Sequence, residues 1–228
     1  MMKLAISLLF SSTMLASSPV FADPAKFEVK ITGIADGGRI PERYAYCIPD
    51  GKNKTKEGFN FNPAIEWSGT PEGTKSFAII VVDKDVPETF ELANQEGKFI
   101  PGSFPRQNFY HWVLVDIPPT MIAISEGGAS RGVVQGGKQL GKAAYGVNGQ
   151  NDYARMSEGN HGGYDGPCPP WNDGIIHNYH FTVYALDVET LGLNGVFDGK
   201  YAEQMMKDHI LAKDTIVGRY SNNPSINW

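Results

Sequence analysis

The chain has 228 residues, with 25 acidic side chains against 20 basic ones and a formal net charge of −5 at neutral pH. That length can bury a good core as one domain. An acidic balance without a basic run argues against nucleic acid as the main partner, though it leaves room for a local site that holds a small anion.

In chain order, the first segment reads as a targeting signal. Lys3 precedes an apolar run over 4–15, and the stretch ends in "SSPVFA" before Asp23. That is the charged start, apolar middle and small-residue ending of a secretory signal peptide, with the cut expected between Ala22 and Asp23. The run is too short for a membrane span, and no later segment approaches one. The expected organisation is a removed leader, 1–22, followed by a single domain, 23–228, that is periplasmic or secreted. Two cysteines, Cys47 and Cys168, then face an oxidising compartment. A disulfide is the default there, with two buried free thiols as the alternative.

The strands follow. "FEVKITGI" (27–34) alternates apolar and polar residues, the period of a half-buried strand. "SFAIIVVD" (76–83) is a continuous apolar run rich in β-branched residues, suited to a strand covered on both faces. "YHWVLVDIP" (110–118) and "HNYHFTVYAL" (177–186) are rich in Val, Tyr, Phe and Trp, again strand-like. Glycines over 127–149 are too dense for a regular helix and predict a long ordered loop. Tyr201, Met205, Met206, His209 and Ile210 recur at helical spacing, predicting a helix over roughly 200–213, and "TIVGRY" (215–220) predicts a closing strand. The expectation is one mostly-β domain of two packed sheets with a late helix.

Several patterns carry little chemistry. "GVVQGGKQ" (132–139) nearly spells a phosphate-binding loop, but Gln139 replaces the final hydroxyl residue and no buried strand leads into it. His177 and His180 are three apart, and on a strand odd spacing sends them to opposite faces, so no shared metal is expected. Cys168 near His177 is a thiol-nucleophile pattern that pairing with Cys47 abolishes. One set remains. Asp83 and Asp85 end the buried run, His111 begins another strand, and His177 and Tyr179 share one face of a third. Before them "GYDGPCPP" (163–170) stiffens the chain with three prolines in four residues. Imidazoles and a phenol can donate to an anion, and a carboxylate can orient an imidazole by accepting its other ring proton.

These blocks, in this order, resemble the phosphatidylethanolamine-binding proteins, most of all the bacterial and archaeal branch labelled Raf-kinase-inhibitor-like. "NPAIEWSGTPEGTKSFAIIVVD", "DKDVP", "HWVLVDIP", "GYDGPCPP", "HNYHFTVYALD" and "DHILAKDTIVGRY" carry the resemblance over about 27–220. It implies an antiparallel two-sheet β-sandwich with a few peripheral helices and a small pocket for phosphate-like anions such as phosphate or phosphoethanolamine. The ligand set it implies is Asp83, Asp85, His111, Gly166, Pro169, Pro170, His177 and Tyr179, with no cofactor and no metal. The bacterial branch further implies a homodimer. Three departures stand out: Lys84 lies where the family usually has proline, residues 88–110 form an insertion, and "WNDGII" lengthens the segment before His177.

Three function classes follow: a binding protein for small anions; an interaction protein, such as a protease inhibitor or a modulator of host signalling; and a hydrolase with His111 or His177 as base and Asp83 as its orienter. Binding leads among these three, and catalysis is not expected.

Overall fold

The computed structural model describes residues 26–51 and 54–228; the expected leader lies outside them. Its main sheet has β5 (Ser76–Pro87) near the middle, flanked by β6 (Arg106–Ile117) on one side and β10 (His177–Leu186) on the other. The short strands β8 (Gly141–Lys142) and β9 (Val147–Asn148) extend one edge, and β11 (Ile210–Tyr220) forms the other. All neighbours in this six-stranded sheet are antiparallel. A second antiparallel sheet holds β1 (Glu28–Ile31), β4 (Ile65–Ser68) and β7 (Ala123–Ile124), in the order β1-β4-β7. A two-stranded ribbon, β2 (Cys47–Pro49) with β3 (Thr55–Glu57), completes the set.

The period of two along β5 explains its uninterrupted apolar run. Phe77, Ile79 and Val81 join the core between the two sheets, with Trp67, Trp112 and Phe181. Ala78, Ile80 and Val82 face the other way, into a layer closed by Leu191, Phe197, Ala202 and Met206. Burying both faces removes apolar area from water at about 25 cal/mol per Å2, so this strand needs no polar face.

The late helix is shorter than the spacing predicts. Helix α1 spans Gly199–Met206, with the Asp198 carboxylate accepting from the Tyr201 N–H at 2.7 Å as its N-cap. The chain then turns, and Ile210 already pairs with Leu186 on β10, so β11 begins five residues before the predicted strand. Two helical turns have little stability of their own, and ladder pairing with β10 outweighs the helical spacing from His209 onward. Two other short strands, β8 and β9, lie inside the expected loop over 127–149.

Cys47 and Cys168 are joined in a disulfide across a sequence separation of 121. In the chain-entropy account, closing a loop of that length stabilises the fold by about 4–5 kcal/mol, and often by less in practice. Its structural effect is to fasten the proline-rich segment to β2.

Candidate functional site

The site lies where β5, β6 and β10 end together. Register pairs Tyr179 with Asp83 across one ladder and Asp83 with Phe109 across the other. Two irregularities then aim the side chains. Val81 pairs with Trp112 and Val82 with Tyr110, leaving His111 as the extra residue of a bulge. A bulge lets adjacent residues depart from strict alternation, and His111 and Trp112 are both buried on the inner side. A second shift between Asp83 and Val86 turns Asp85 aside.

His177 is fully buried and gripped from both ends. Its Nδ1–H donates to Asp83 Oδ2 at 2.7 Å and its Nε2–H to Asp173 Oδ2 at 3.1 Å. Carboxylates only accept, so both ring nitrogens carry protons. Burial works against the charged ring, but the two carboxylates outweigh it and raise its pKa to about 9. Burial likewise opposes ionisation of Asp83 and Asp173, and their partners hold both below the usual carboxylate value. Arg106 grips the other side of Asp173 through both terminal nitrogens, at 2.5 and 3.0 Å. Its remaining donors go to the carbonyls of Phe104, Asp85 and Pro101. Two cations and two carboxylates thus form a neutral buried row, and every N–H of His177 is taken.

His111 is wired differently. Its Nδ1 lies 2.7 Å from the carbonyl of Asp165, which can only accept, so Nδ1 carries the proton. Burial lowers its pKa more than nearby Asp83 raises it, and the ring is neutral at pH 7. Nε2 is then a lone-pair acceptor, buried and bonded to no protein group. The hydroxyl of Tyr179 is in the same condition. Burial, reinforced by the charge of Asp83, raises this phenol well above its ordinary pKa, so it stays a donor. The two rings meet edge to face at 5.1 Å. Behind His111, the Asp165 carboxylate accepts from Asn60 at 2.7 Å and Asn151 at 2.9 Å and pairs with Lys138. This network fixes the carbonyl that orients the imidazole.

Above these groups is a cavity of about 210 Å3, walled by Val86, Phe109, Pro169 and Pro170 and by Phe90 and Ala93 of the insertion. The profile of the family described as phosphatidylethanolamine-binding protein matches residues 30–221. The chain belongs to that family. Among relatives, a UPF0098 protein of Aquifex aeolicus is 34% identical, covering 82% of this chain and 92% of its own. The UPF0098 protein YbcL of Escherichia coli is 30% identical over 93% of this chain and 97% of its own. The crystal structure of E. coli YbcL, described as a new member of the mammalian PEBP family, superposes with a TM-score of 0.63 at 28% identity. That match covers 86% of this chain and 99% of that one.

Within this PEBP fold, Asp83, His111, Pro169, Pro170, His177 and Tyr179 all line the one cavity, beside the disulfide sulfur of Cys168. Two residues of the expected set stand elsewhere. Asp85 accepts from the backbone and side-chain amides of Asn178, both at 2.8 Å, and ties β5 to β10 outside the cavity. Gly166 is a support: a Cβ there would lie 1.9 Å from the carbonyl oxygen of Tyr44, so no larger residue fits. His177 lines the cavity but has no N–H to offer an anion, contrary to the expectation that it grips one. Trp171 does not reach the cavity; its backbone N–H donates to Asn94 of the insertion at 3.0 Å. Sequence reasoning missed Asp173, Arg106, Asp165 and Lys138. "GVVQGGKQ" did hold a functional lysine, but as the buried partner of Asp165 rather than a phosphate ligand.

Proposed function

We propose that this protein is an exported binding protein for a small ligand with a phosphate or protonated carboxyl head, through which it acts on a partner protein. One observation carries the reading. His111 Nε2 and the Tyr179 hydroxyl, 3% and 1% exposed as residues, adjoin one cavity and have no protein partner. Each unsatisfied buried polar atom costs roughly 1–3 kcal/mol, which a ligand matching one acceptor and one donor removes. A monoprotonated phosphate is such a match: its P–OH donates to Nε2 while a P–O oxygen accepts from Tyr179. The family's name points to the same headgroup chemistry. Export is supported by the amino-terminal pattern and by the disulfide, a bond that persists in oxidising compartments.

Binding through a neutral His111 takes up one proton whenever the free ligand is a dianion. Affinity therefore falls as pH rises through the second phosphate ionisation, at about 6. Calorimetry with inorganic phosphate and phosphoethanolamine from pH 5 to 8 tests this. His111→Ala is expected to lose about 1–3 kcal/mol of affinity, the range for a hydrogen bond to a charged group. Unchanged affinity in that variant would remove the reading. Mass spectrometry of the exported chain is expected to give a start at Asp23.

A further inference from the structure

The insertion is folded onto the cavity, and the side chain of Asn172 is central to its attachment. Asn172 donates through Nδ2 to the carbonyls of Leu92 at 2.8 Å and Lys98 at 3.1 Å, and its Oδ1 accepts from the Asn94 N–H at 2.9 Å. Its own carbonyl accepts from Ile100, and Gly174 donates back to Ile100. The insertion and the lengthened "WNDG" segment are thus one unit, two of the three departures of this chain acting together. That unit carries Phe90 and Ala93 to the cavity, whose lining also includes Val86, Phe109 and Met156. Phe90 and Met156 are the partly exposed apolar members, at 36% and 55%.

Charge and size narrow what can enter. Among the described residues no Lys or Arg side chain lines the cavity, and the row from Arg106 to Asp83 is already neutral, so a second anionic group on a ligand meets no unpaired cation among them. The volume of about 210 Å3 lies below the roughly 300–1,000 Å3 of pockets for drug-sized ligands. The walls beside the polar pair are mostly apolar and aromatic, with Asn94 of the insertion as a further polar member.

We propose that the insertion sets the ligand class: a small monoacid whose head carries one compact apolar, preferably aromatic, substituent. The head sits on His111 and Tyr179, and the substituent packs between Phe90 and Phe109, where aromatic pairs favour offset or edge-on contact. A free phosphate leaves the apolar walls uncovered, and an ester with a polar substituent sets its hydroxyls against mostly apolar groups. This inference rests on the acid-binding reading above and adds the selectivity.

The test compares two esters with the same head, phenyl phosphate and glycerol 3-phosphate, with inorganic phosphate and benzoate beside them, all by calorimetry. Wild type is expected to bind phenyl phosphate at least tenfold more tightly than glycerol 3-phosphate. Phe90→Ala and Asn172→Ala are each expected to shrink that ratio to within about threefold. The ratio is read within each variant, so a general loss of affinity does not imitate the effect. Phe90→Ala keeps the test available if Asn172→Ala does not fold. Benzoate tracking phenyl phosphate across the variants supports an acid head in general. Equal affinity for the two esters, or an unchanged ratio in both variants, overturns the selectivity while phosphate binding still upholds the pocket. No binding of any of the four probes by wild type overturns both.

Discussion

The two histidines of the cavity are buried to nearly the same depth and yet differ in charge, partners and availability. His177 faces carboxylates on both sides, is held as a cation and has no free N–H. His111 faces one backbone carbonyl, is held neutral and keeps one nitrogen free. Burial penalises the charged ring in both; the partner decides the outcome. A carbonyl orients a ring without charging it, whereas two carboxylates charge it and consume it. The structure therefore treats differently two residues that the motifs present as a pair: His177 holds the strand ends together, and His111, with Tyr179, keeps a polar atom free at the cavity, where we propose that the ligand binds.

The largest expected effect breaks the first member of that pair. His177→Ala leaves Asp83 and Asp173 buried against each other with only Arg106 for compensation. Removing one partner of a buried ion pair typically costs about 3–5 kcal/mol, and urea denaturation at pH 7 is expected to show a loss of that size. His111→Ala removes a neutral ring with one bond to a carbonyl and is expected to cost less stability than His177→Ala. Equal losses would mean that the two rings are not divided into support and contact.

A second measurement sharpens the contrast through pH. The folded pKa of His177, about 9, is above its ordinary value of 6.5. Its contribution to stability is fully present below about 6.5 and is lost as pH rises through about 9. His111 has the opposite sign: its folded pKa is lowered, so the fold loses stability as pH falls below 6.5 and the unfolded chain takes up the proton. The alkaline limb is expected to be on the order of 3–4 kcal/mol, at 1.36 kcal/mol per pH unit between 6.5 and about 9. His177→Gln is expected to flatten that limb selectively between pH 7 and 10. A limb of undiminished height in the variant would show that His177 is not the titrating group.

How much of this was legible in the sequence depended on the distance over which each feature is defined. The strand β5 could be read because covering on both faces is written into eight adjacent residues. The cavity residues could be found because motif blocks mark strand ends that share a sheet. Their roles could not. Arg106 and Asp173 are 67 residues apart, and Asn60 and Asp165 are 105 apart, so the charge states of His177 and His111 are set by partners that no local pattern announces. The bulge at His111 is equally silent, because it depends on how β6 pairs with β5. Asp85 departs from the cavity for a similar reason, since the neighbouring irregularity turns it toward Asn178. The helix failed for the same reason: spacing over 200–213 is helical, but β10 recruits the second half as a strand.

The smallest expected effect is the most discriminating. Tyr179→Phe removes one hydroxyl that bonds to no protein group. If it served the fold, its loss would lower stability; if it serves the ligand, its loss lowers affinity alone. The expected result is about 1 kcal/mol weaker phosphate binding, the usual net value of a neutral hydrogen bond. Stability is expected to stay the same or rise slightly, since an unpaired buried polar atom has been deleted. His180→Ala is the matching control on the same strand. It pairs with Val82 and Val217 on the opposite face from His177 and does not line the cavity, so phosphate affinity is expected to remain within error. Lower stability with unchanged affinity in Tyr179→Phe would make the phenol part of the support that His177 provides and leave His111 as the sole contact. Weaker binding in His180→Ala would mean that the face of β10, and with it the whole assignment of contact and support, is wrong.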